Sequence, residues 1–286
     1  MLEEIRALGF EYAELSHGIR ISLLPGILDA VDAGAIKIST LHNFCPLPMG
    51  IDRAAPNVFQ FSSDNPRERE NAFRHTVKTI ETAARLKAQL VVLHMGSVEM
   101  KDYTDRLVEL IVDGKKDTPK FTKLRDEALR KRADKKENYV RESMAMLERL
   151  VPVAEKHGLL LGIENREAIE EIPFEEDTEY LFRDFGTPVV RYWHDIGHAQ
   201  IKANLGIIDH VQHLENLSPV LAGFHIHDVE YPGRDHRAPG TGVVDFGSLK
   251  PFVKPDQIKV FEMSPSLETS AVMAGVAHVK AIWGDT

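Results

Sequence analysis

Short apolar runs alternate along the chain with longer amphipathic stretches. The run from Leu90 to His94 is apolar until its final histidine, a pattern typical of a parallel strand covered on both faces. The stretch before it, from Arg67 to Lys87, has apolar residues at helical spacing and predicts an amphipathic helix. Strands and helices that follow each other in this way indicate right-handed crossovers and a parallel sheet.

The alternation continues over the whole chain. Strands are predicted at positions 12–15, 36–42, 90–94, 159–164, 189–195, 221–227 and 258–262. Helices are predicted at positions 2–8, 21–31, 67–87, 138–157, 178–185 and 266–283. We expect the helix at 21–31 to be interrupted near Pro25, because proline removes a backbone donor.

Six of the predicted strands end in a side chain that can bind a metal ion. These residues are His42, His94, Glu164, Asp195, His225 and Glu262. In a (β/α)8 barrel the carboxyl ends of all strands meet at the face that carries the catalytic loops. We therefore predict an α/β fold, a parallel (β/α)8-type TIM barrel that forms a single domain over residues 1–286.

The strand pattern departs from a complete barrel in two places. The chain begins inside what would be the first helix, so either the standard first strand is missing or the barrel is incomplete. An open doubly wound sheet is the alternative, since it accommodates an odd number of strands. A helical insertion is predicted at about 99–136, between the strand that ends at His94 and the helix from Asn138.

The segment from Phe224 to Phe246 concentrates acidic and histidine residues. His225 and His227 lie two apart on a predicted strand, so their side chains share a face. Asp228, Asp235 and His236 follow, and the turn at 239–242 ends the strand pattern. Such a cluster at a strand end predicts a metal or acid/base site.

Composition narrows the function classes. The chain has 286 residues, a formal net charge of −9 and a pI near 5.8, which argues against a nucleic-acid partner. Its one cysteine, Cys45, cannot form an internal disulfide, so a cytoplasmic location is expected. No apolar run reaches the length of a membrane helix and no signal peptide is visible, so no membrane partner is expected. A homo-oligomer is compatible with the sequence, but no feature indicates one.

The predicted insertion is locally basic. Residues 115–136 contain ten Lys or Arg against four acidic residues. One interpretation is a solvated helical segment of mixed charge. The other is a flap that binds phosphate or a partner, because the insertion follows a strand that ends in a candidate ligand.

The strand-end motifs carry a resemblance to a known family. They are L-H-N at His42, L-H-M-G-S at His94, I-E-N at Glu164, H-D-I-G-H at Asp195 and His198, H-I-H-D at His225, D-H-x-x-P-G-x-G at His236 and F-E at Glu262. In order and spacing this set resembles the xylose isomerase-like TIM-barrel superfamily. That superfamily contains sugar and sugar phosphate isomerases and epimerases, and the endonuclease IV enzymes. The resemblance runs from about Gly9 to Glu262 and is lost at 99–136.

The resemblance to the epimerases implies a mononuclear metal site and a reaction. Glu164, Asp195, His225 and Glu262 would hold one divalent ion, and Mn²⁺, Mg²⁺, Co²⁺ and Zn²⁺ all suit that donor set. Glu164 and Glu262 would be catalytic, one removing a proton next to a carbonyl and the other returning one through an enediolate. His198 would contact a small carbohydrate substrate. His236 has the same implied role. The function predicted is a metal-dependent isomerase or epimerase of a sugar, sugar phosphate or polyol derivative.

The resemblance to endonuclease IV implies the alternative, a multi-zinc phosphoesterase. His42 and His94 would then join Glu164 at a second ion; in the epimerase interpretation they contact substrate. His198 and His236 would belong to a third ion. That family has an aspartate two residues before the histidine, whereas this chain has Arg234 there, with Asp235 out of register by one. An arginine opposes a third cation, and it suits a sugar phosphate or carboxylate instead.

The remaining histidines receive plainer interpretations. His194 and His227 each neighbour a proposed ligand, and we expect them to orient it. Surface or supporting roles are expected for His17, His75, His157, His210, His213 and His278.

Overall fold

A computed structural model describes residues 1–284, the side chains of residues 179, 180 and 184 excepted. Its strands are β1 (Tyr12–Leu15), β2 (Lys37–His42), β3 (Leu90–Leu93), β4 (Leu160–Glu164), β5 (Val190–Asp195), β6 (Leu221–Ile226), β7 (Asp228–Glu230), β8 (Arg234–Arg237) and β9 (Ile258–Phe261). Seven of them form one sheet in the order β1-β2-β3-β4-β5-β6-β9, and β7 pairs with β8. All seven predicted strands are confirmed, with boundaries that differ by one residue or less.

The strand order decides between the two predicted architectures. Neighbours in the large sheet follow each other along the chain, apart from the β7–β8 hairpin inserted before β9. The pairs whose register is defined in this sheet are parallel. A doubly wound sheet reverses its strand order at a switch point, and a sequential order has none. The parallel α/β prediction is therefore confirmed, and the doubly wound alternative is wrong.

Ten α-helices accompany the strands in the described part of the chain. They are α1 (Leu2–Ala7), α2 (Leu24–Asp32), α3 (Pro66–Arg85), α4 (Thr104–Val112), α5 (Pro119–His157), α6 (Glu175–Glu179), α7 (Ile196–Asn204), α8 (His210–Leu217), α9 (Phe246–Leu249) and α10 (Thr269–Trp283). No helix among residues 1–284 is long and apolar enough to span a membrane.

One helix prediction needs correction and another is confirmed. The helix expected from Asn138 starts at Pro119, so the second half of the insertion continues into it as α5. The interruption expected near Pro25 is confirmed, because a short 3-10 helix at Ile21–Leu23 ends where α2 begins, with Pro25 in the first turn of α2. There its missing N–H has no intrahelical partner to lose.

The described chain comprises two compact units. The first contains Met1–Ser97, Asn138–Glu164 and Asp177–Arg191, and the second contains Val98–Glu137, Asn165–Glu176 and the chain from Tyr192 onward. In the first unit the residues of β3 are fully buried, as a strand covered on both faces requires. In the second unit a core forms around Leu107, Ile169 and Leu205.

The basic insertion contributes structure to the second unit. Its helix α4 and the start of α5 bury apolar residues such as Phe121 in that unit's core. Arg132 of α5 is only 1% exposed and donates hydrogen bonds to the backbone oxygens of Ile169 (2.8 Å) and Glu171 (3.2 Å). Its guanidinium also lies over the Phe174 ring. The inner face of the insertion therefore holds the segment at 165–176, which follows β4.

Candidate metal centre

Three of the predicted ligands converge in the second unit. Asp195 ends β5 and His225 lies opposite it on β6, so the parallel register brings the two side chains together. The Nδ1 atom of His225 lies 3.7 Å from Asp195 Oδ2 and 3.0 Å from Glu262 Oε2. Asp195 and His225 are fully buried, while the Glu262 side chain is 24% exposed. The third ligand therefore forms the open side of the cluster.

The backbone and one carboxylate oxygen of Asp195 are fixed by neighbours. Asn165 accepts from the Asp195 N–H at 2.7 Å and donates to its carbonyl oxygen at 2.9 Å. Asp195 Oδ1 accepts from the His198 N–H at 2.7 Å, which makes Asp195 the N-cap of α7. The other oxygen, Oδ2, is the one that faces His225. A ligand thus held needs little reorganisation to bind an ion.

His227 orients Asp195. The His236 N–H donates to His227 Nδ1 at 3.0 Å, so that nitrogen carries no proton. The proton of the neutral ring is then on Nε2, which lies 3.1 Å from Asp195 Oδ2. A donor in that place fixes the carboxylate, in the way that groups around a metal ligand commonly do. The orienting role expected of His227 agrees with this geometry.

Charge stabilises the ionised form of Asp195. Burial by itself would raise the pKa of the Asp195 carboxyl. Electrostatic attraction to the His198 and His227 rings, together with hydrogen bonds from His225 and His227, outweighs burial and lowers that pKa well below its ordinary value. The carboxylate is therefore ready to bind a cation.

Two carboxylates, those of Asp235 and Glu167, lie near His198 and form a second candidate group with it. His198 Nδ1 lies 2.9 Å from the Asn165 carbonyl oxygen, which only accepts, and 3.4 Å from the Arg166 guanidinium, which only donates. The shorter contact requires a proton on Nδ1, so in the neutral ring Nε2 is the acceptor. His198 Nε2 lies 4.0 Å from Asp235, and Glu167 offers a further carboxylate within 4.8 Å of both. Burial raises the pKa of the Glu167 carboxyl. Glu167 was not identified from the sequence.

The hairpin places Asp235, and not Arg234, beside His198. Arg234 has a side chain that is 71% exposed and pairs with Glu230 at 3.5 Å. Side chains alternate in direction along a strand, so Arg234 and Asp235 point to opposite faces of β8. The register of the hairpin could not be read from the sequence, because the β7–β8 pair was not predicted.

His236 contacts both the cluster of Asp195, His225 and Glu262 and the acidic group around His198. It adopts a left-handed backbone conformation, with φ of 52°. Its ring stacks on that of His227, with Nδ1 at 3.1 Å from Asp235 and Nε2 at 3.7 Å from Glu262. Burial would lower the pKa of His236, but the hydrogen bonds to Asp235 and Glu262 raise it to about 11.

Asp228 has a structural role. It is fully buried, and its carboxylate accepts from the backbone N–H groups of Val229, Gly240, Gly242 and Val244 at 2.8 to 3.0 Å. Three of these donors lie in or just after the turn at 239–242, and the fourth, Val229, follows Asp228 in β7. The carboxylate therefore organises that loop, and its lone pairs are committed to the backbone.

A separate cluster lies in the first unit. His42 Nε2 and His94 Nε2 lie 3.5 Å and 2.7 Å from the same oxygen of Glu164. Their Nδ1 atoms lie 2.9 Å from the Asn43 carbonyl oxygen and 2.8 Å from Asn57 Oδ1, both acceptors, so each Nδ1 carries a proton. In a neutral ring Nε2 then presents a lone pair to a carboxylate oxygen, and only a cation or a proton reconciles the two at this distance.

Both clusters fit a divalent ion by their donors. Nitrogen and carboxylate oxygen atoms lie 2.7 to 3.7 Å apart, as expected for ligands that share one ion at about 2.0–2.2 Å. Mixed imidazole and carboxylate donors suit Mn²⁺, Co²⁺ and Zn²⁺, and sites richer in carboxylate suit Mg²⁺.

The fold is shared with several solved structures. A D-tagatose 3-epimerase-like protein is 18% identical, with a TM-score of 0.69 over 98% of this chain and 91% of that one. The 3-keto-D-glucoside 4-epimerase from E. coli is 14% identical, with a TM-score of 0.67 over 98% and 92%. A Thermus thermophilus protein soaked with zinc chloride is 20% identical, with a TM-score of 0.63 over 99% and 92%.

Among curated proteins the sequence has no match. Residues 2–274 match the family described as xylose isomerase-like TIM barrel, and the chain therefore belongs to that family.

Proposed function

We propose that the chain is a metal-dependent isomerase or epimerase that acts on a small sugar, sugar phosphate or polyol derivative. Glu164, Asp195, His225 and Glu262 hold one divalent ion in this proposal. The observation that carries it is the convergence of Asp195, His225 and Glu262, with Asp195 oriented by His227. Glu164 ends β4, and the carboxyl ends of parallel strands in a barrel share one face. The epimerases of similar fold support the reaction class.

The reaction proposed is proton transfer at the carbon next to a carbonyl. When bound, a divalent ion would polarise that carbonyl and stabilise the negative charge that develops on its oxygen. Glu262 accepts the proton on one face of the carbon, and the C–H electron pair moves into the carbonyl to give an enediolate. Glu164 enters the reaction protonated and delivers that proton to the other face, where the electron pair of the enediolate forms the new C–H bond and the carbon is inverted; Glu164 is left as the carboxylate and Glu262 as the acid. In the reverse direction the two carboxylates exchange roles.

His198 and His236 are proposed to bind substrate oxygens. His198 Nε2 has an acceptor lone pair, because Nδ1 donates to Asn165, and this suits a sugar hydroxyl. His236 carries two protons at neutral pH and suits a carbonyl or hydroxyl oxygen. We propose the sugar-binding role for His42 and His94 only if no second ion binds there. Arg234 contacts the substrate only if a phosphate or carboxylate of the substrate extends to the outer face of the hairpin.

A multi-zinc phosphoesterase is the second candidate function. The observation in its favour is that His42, His94 and Glu164 fit an ion of their own. A further group, Glu167, His198 and Asp235, has its ligand atoms within 4.8 Å of one another. The two candidates differ in the number of ions: one for the epimerase, two or three for the phosphoesterase.

The test combines metal content with isotope exchange. Elemental analysis and calorimetric titration give the identity, number and affinity of the ions. A panel of ketopentoses and ketohexoses is then incubated in D2O, and proton transfer next to the carbonyl incorporates deuterium at the inverted carbon.

Glu262→Gln should lose both metal affinity and exchange, whereas Glu215→Gln, at an exposed site on α8, should retain both. Full metal content and turnover in Glu262→Gln would refute both roles assigned to this residue, and cleavage of a phosphodiester with two or more ions would favour the second candidate.

A further inference from the structure

A hydrogen-bonded chain of polar side chains, all buried except the half-buried Gln200, runs through the second unit behind β5. Its members are Tyr192 and His194 on β5, Gln200 and Asn204 on α7, and His210 and His213 on α8. Each nitrogen or oxygen along it lies 2.7 to 3.1 Å from the next. The outer end is His213, and the inner end is the carbonyl oxygen of Pro232, which Asn204 contacts at 2.8 Å.

The Pro232 carbonyl sets the direction of the first bonds. A carbonyl oxygen only accepts, so Asn204 turns its NH2 group to Pro232 and leaves its oxygen to Gln200. Gln200 must therefore direct its own NH2 group to Asn204, at 2.9 Å. Its oxygen then faces His210 Nδ1 at 3.1 Å, and that nitrogen must donate.

The direction propagates through the rings. His210 in its neutral form has one proton, on Nδ1, so its Nε2 accepts from His194 Nε2 at 3.1 Å. His194 is fully buried between neutral groups, where a charged ring would be uncompensated. Its Nδ1 therefore accepts from the Tyr192 hydroxyl at 2.7 Å, and the tyrosine oxygen accepts from His213 Nε2 at 2.9 Å. Burial lowers the pKa values of His210 and His213 to about 3, consistent with neutral rings.

The hydrogen-bonded chain contacts three of the elements that carry the candidate site of this unit, namely β5, α7 and the β7–β8 hairpin. Its members on β5 precede Asp195, and those on α7 follow His198. Pro232 lies in the turn between β7 and β8, three residues before Asp235. When all the hydrogen bonds run in one donor-to-acceptor direction, they specify a single arrangement of these elements. Reversing any one bond would leave two donors or two acceptors facing each other.

We propose that Gln200 and Asn204 are positioning residues. Asn204 donates to the Pro232 carbonyl and so holds the hairpin against α7 for substrate binding. Through Gln200 the same bond fixes the tautomer of His194. The part that concerns substrate rests on the proposed function. The part that concerns tautomers does not.

Tautomers can be measured directly by ¹⁵N NMR of the histidine rings. In the unmodified protein we expect the proton on Nε2 of His194, Nδ1 of His210 and Nε2 of His213. Asn204→Leu removes the group that fixes the amide of Gln200, so both directions of the chain become available. We then expect His194 to show a mixture of tautomers, which a merely space-filling role of Asn204 would not produce. A proton on Nδ1 of His194 in the unmodified protein would overturn the proposal, and so would unchanged tautomers in Asn204→Leu.

Asn204→Asp separates the two roles and keeps the size of the side chain. Its carboxylate still accepts from Gln200 but repels the Pro232 carbonyl, so the tautomers should stay while the hairpin loses its bond. We expect KM for the sugar to rise roughly tenfold with kcat little changed. Gln212→Glu, exposed on α8 and outside the chain, is the control. An unchanged KM would refute the positioning role, whereas a protein that converts no sugar but keeps the tautomers would refute the proposed function alone.

Discussion

The ring of His227 occupies the space that a side chain at Gly197 would need. A Cβ atom on Gly197 would lie 2.1 Å from His227 Cε1 and 2.5 Å from its Nδ1. Gly197 is in the first turn of α7, in the motif H-D-I-G-H, where no unusual backbone conformation requires glycine. The glycine is therefore needed for close approach: it lets the ring that orients Asp195 lie against the helix.

Gly197→Ala should weaken metal binding. Alanine is the better helix former by about 1 kcal/mol, but its Cβ would displace the ring of His227, which is fully buried and hydrogen-bonded at both nitrogens. We expect roughly a tenfold loss of Mn²⁺ affinity, the effect typical of a displaced group behind a ligand. Calorimetric titration measures it. Gly26→Ala in α2, where a Cβ meets nothing within 4 Å, is the matched control and should leave affinity unchanged. Equal affinities in the two variants would show that the contact with His227 has no influence on the ion.

The strands and the residues at their ends could be predicted, because both follow from local pattern. Apolar runs define where β3 and β4 lie, and a polar residue at the end of a run is visible without any structure. The hairpin could not be predicted in the same way. Its strands β7 and β8 have three and four residues and a polar composition, so no alternation marks them.

The missed site residues depend on that hairpin. Glu167 reaches His198 and Asp235 only because the hairpin brings Asp235 inward and the insertion holds the segment after β4. Asp228 had the residue type and position of a candidate acid, yet its carboxylate is surrounded by backbone donors that only the folded loop supplies. The tertiary arrangement assigns these roles, and residue type alone does not.

Asp228→Asn should destabilise the protein. The amide keeps one acceptor oxygen and turns an NH2 group toward backbone N–H donors, which leaves buried donors unpaired. We expect a loss of about 3 kcal/mol in the free energy of unfolding. Urea denaturation in the presence of a chelator measures this without any contribution from metal. Asp209→Asn is the control, because asparagine caps a helix as well as aspartate does and Asp209 is the N-cap of α8. Comparable stability of the two variants would mean that the loop does not need the charge.

Arg132→Met should destabilise the segment at 165–176 rather than change any phosphate affinity. Methionine retains much of the side-chain volume but leaves the carbonyls of Ile169 and Glu171 without their donor. The expected cost is about 2 kcal/mol, accompanied by faster amide exchange in this segment. Lys131→Met, the neighbouring basic residue on α5, is the control and should be nearly neutral. A loss of phosphate binding without a loss of stability would favour the flap interpretation of the insertion.

Acid should destabilise the protein through His210 and His213. Burial lowers both pKa values to about 3, against about 6.5 in an unfolded chain. The unfolded state therefore binds more protons below pH 6.5. Above pH 6.5 both rings are neutral in the folded and the unfolded state, and these histidines cost no stability. As the pH decreases from 6.5 toward 3, the free energy of unfolding falls by about 1.4 kcal/mol per pH unit for each histidine. Urea denaturation across this range, with chelator present, measures the slope. His213→Gln keeps a donor for Tyr192 and should reduce the slope, and an unchanged slope would show that His213 is protonated in the folded protein.

The chain should not incise DNA at abasic sites. Binding to a duplex depends on several Lys or Arg on the contact face, which release counterions from the phosphates. The net charge is −9, and the basic insertion already holds a surplus of positive charge, so the remainder is more acidic still. The basic residues of β8, Arg234 and Arg237, both pair with Glu230. A loop surface of this kind repels a polyanion and admits a small neutral or singly charged sugar. We therefore expect no cleavage of an abasic-site duplex above the buffer rate at physiological salt, with Zn²⁺ or Mn²⁺ supplied. Incision that is lost in Glu262→Gln would instead make the multi-zinc phosphoesterase the better assignment.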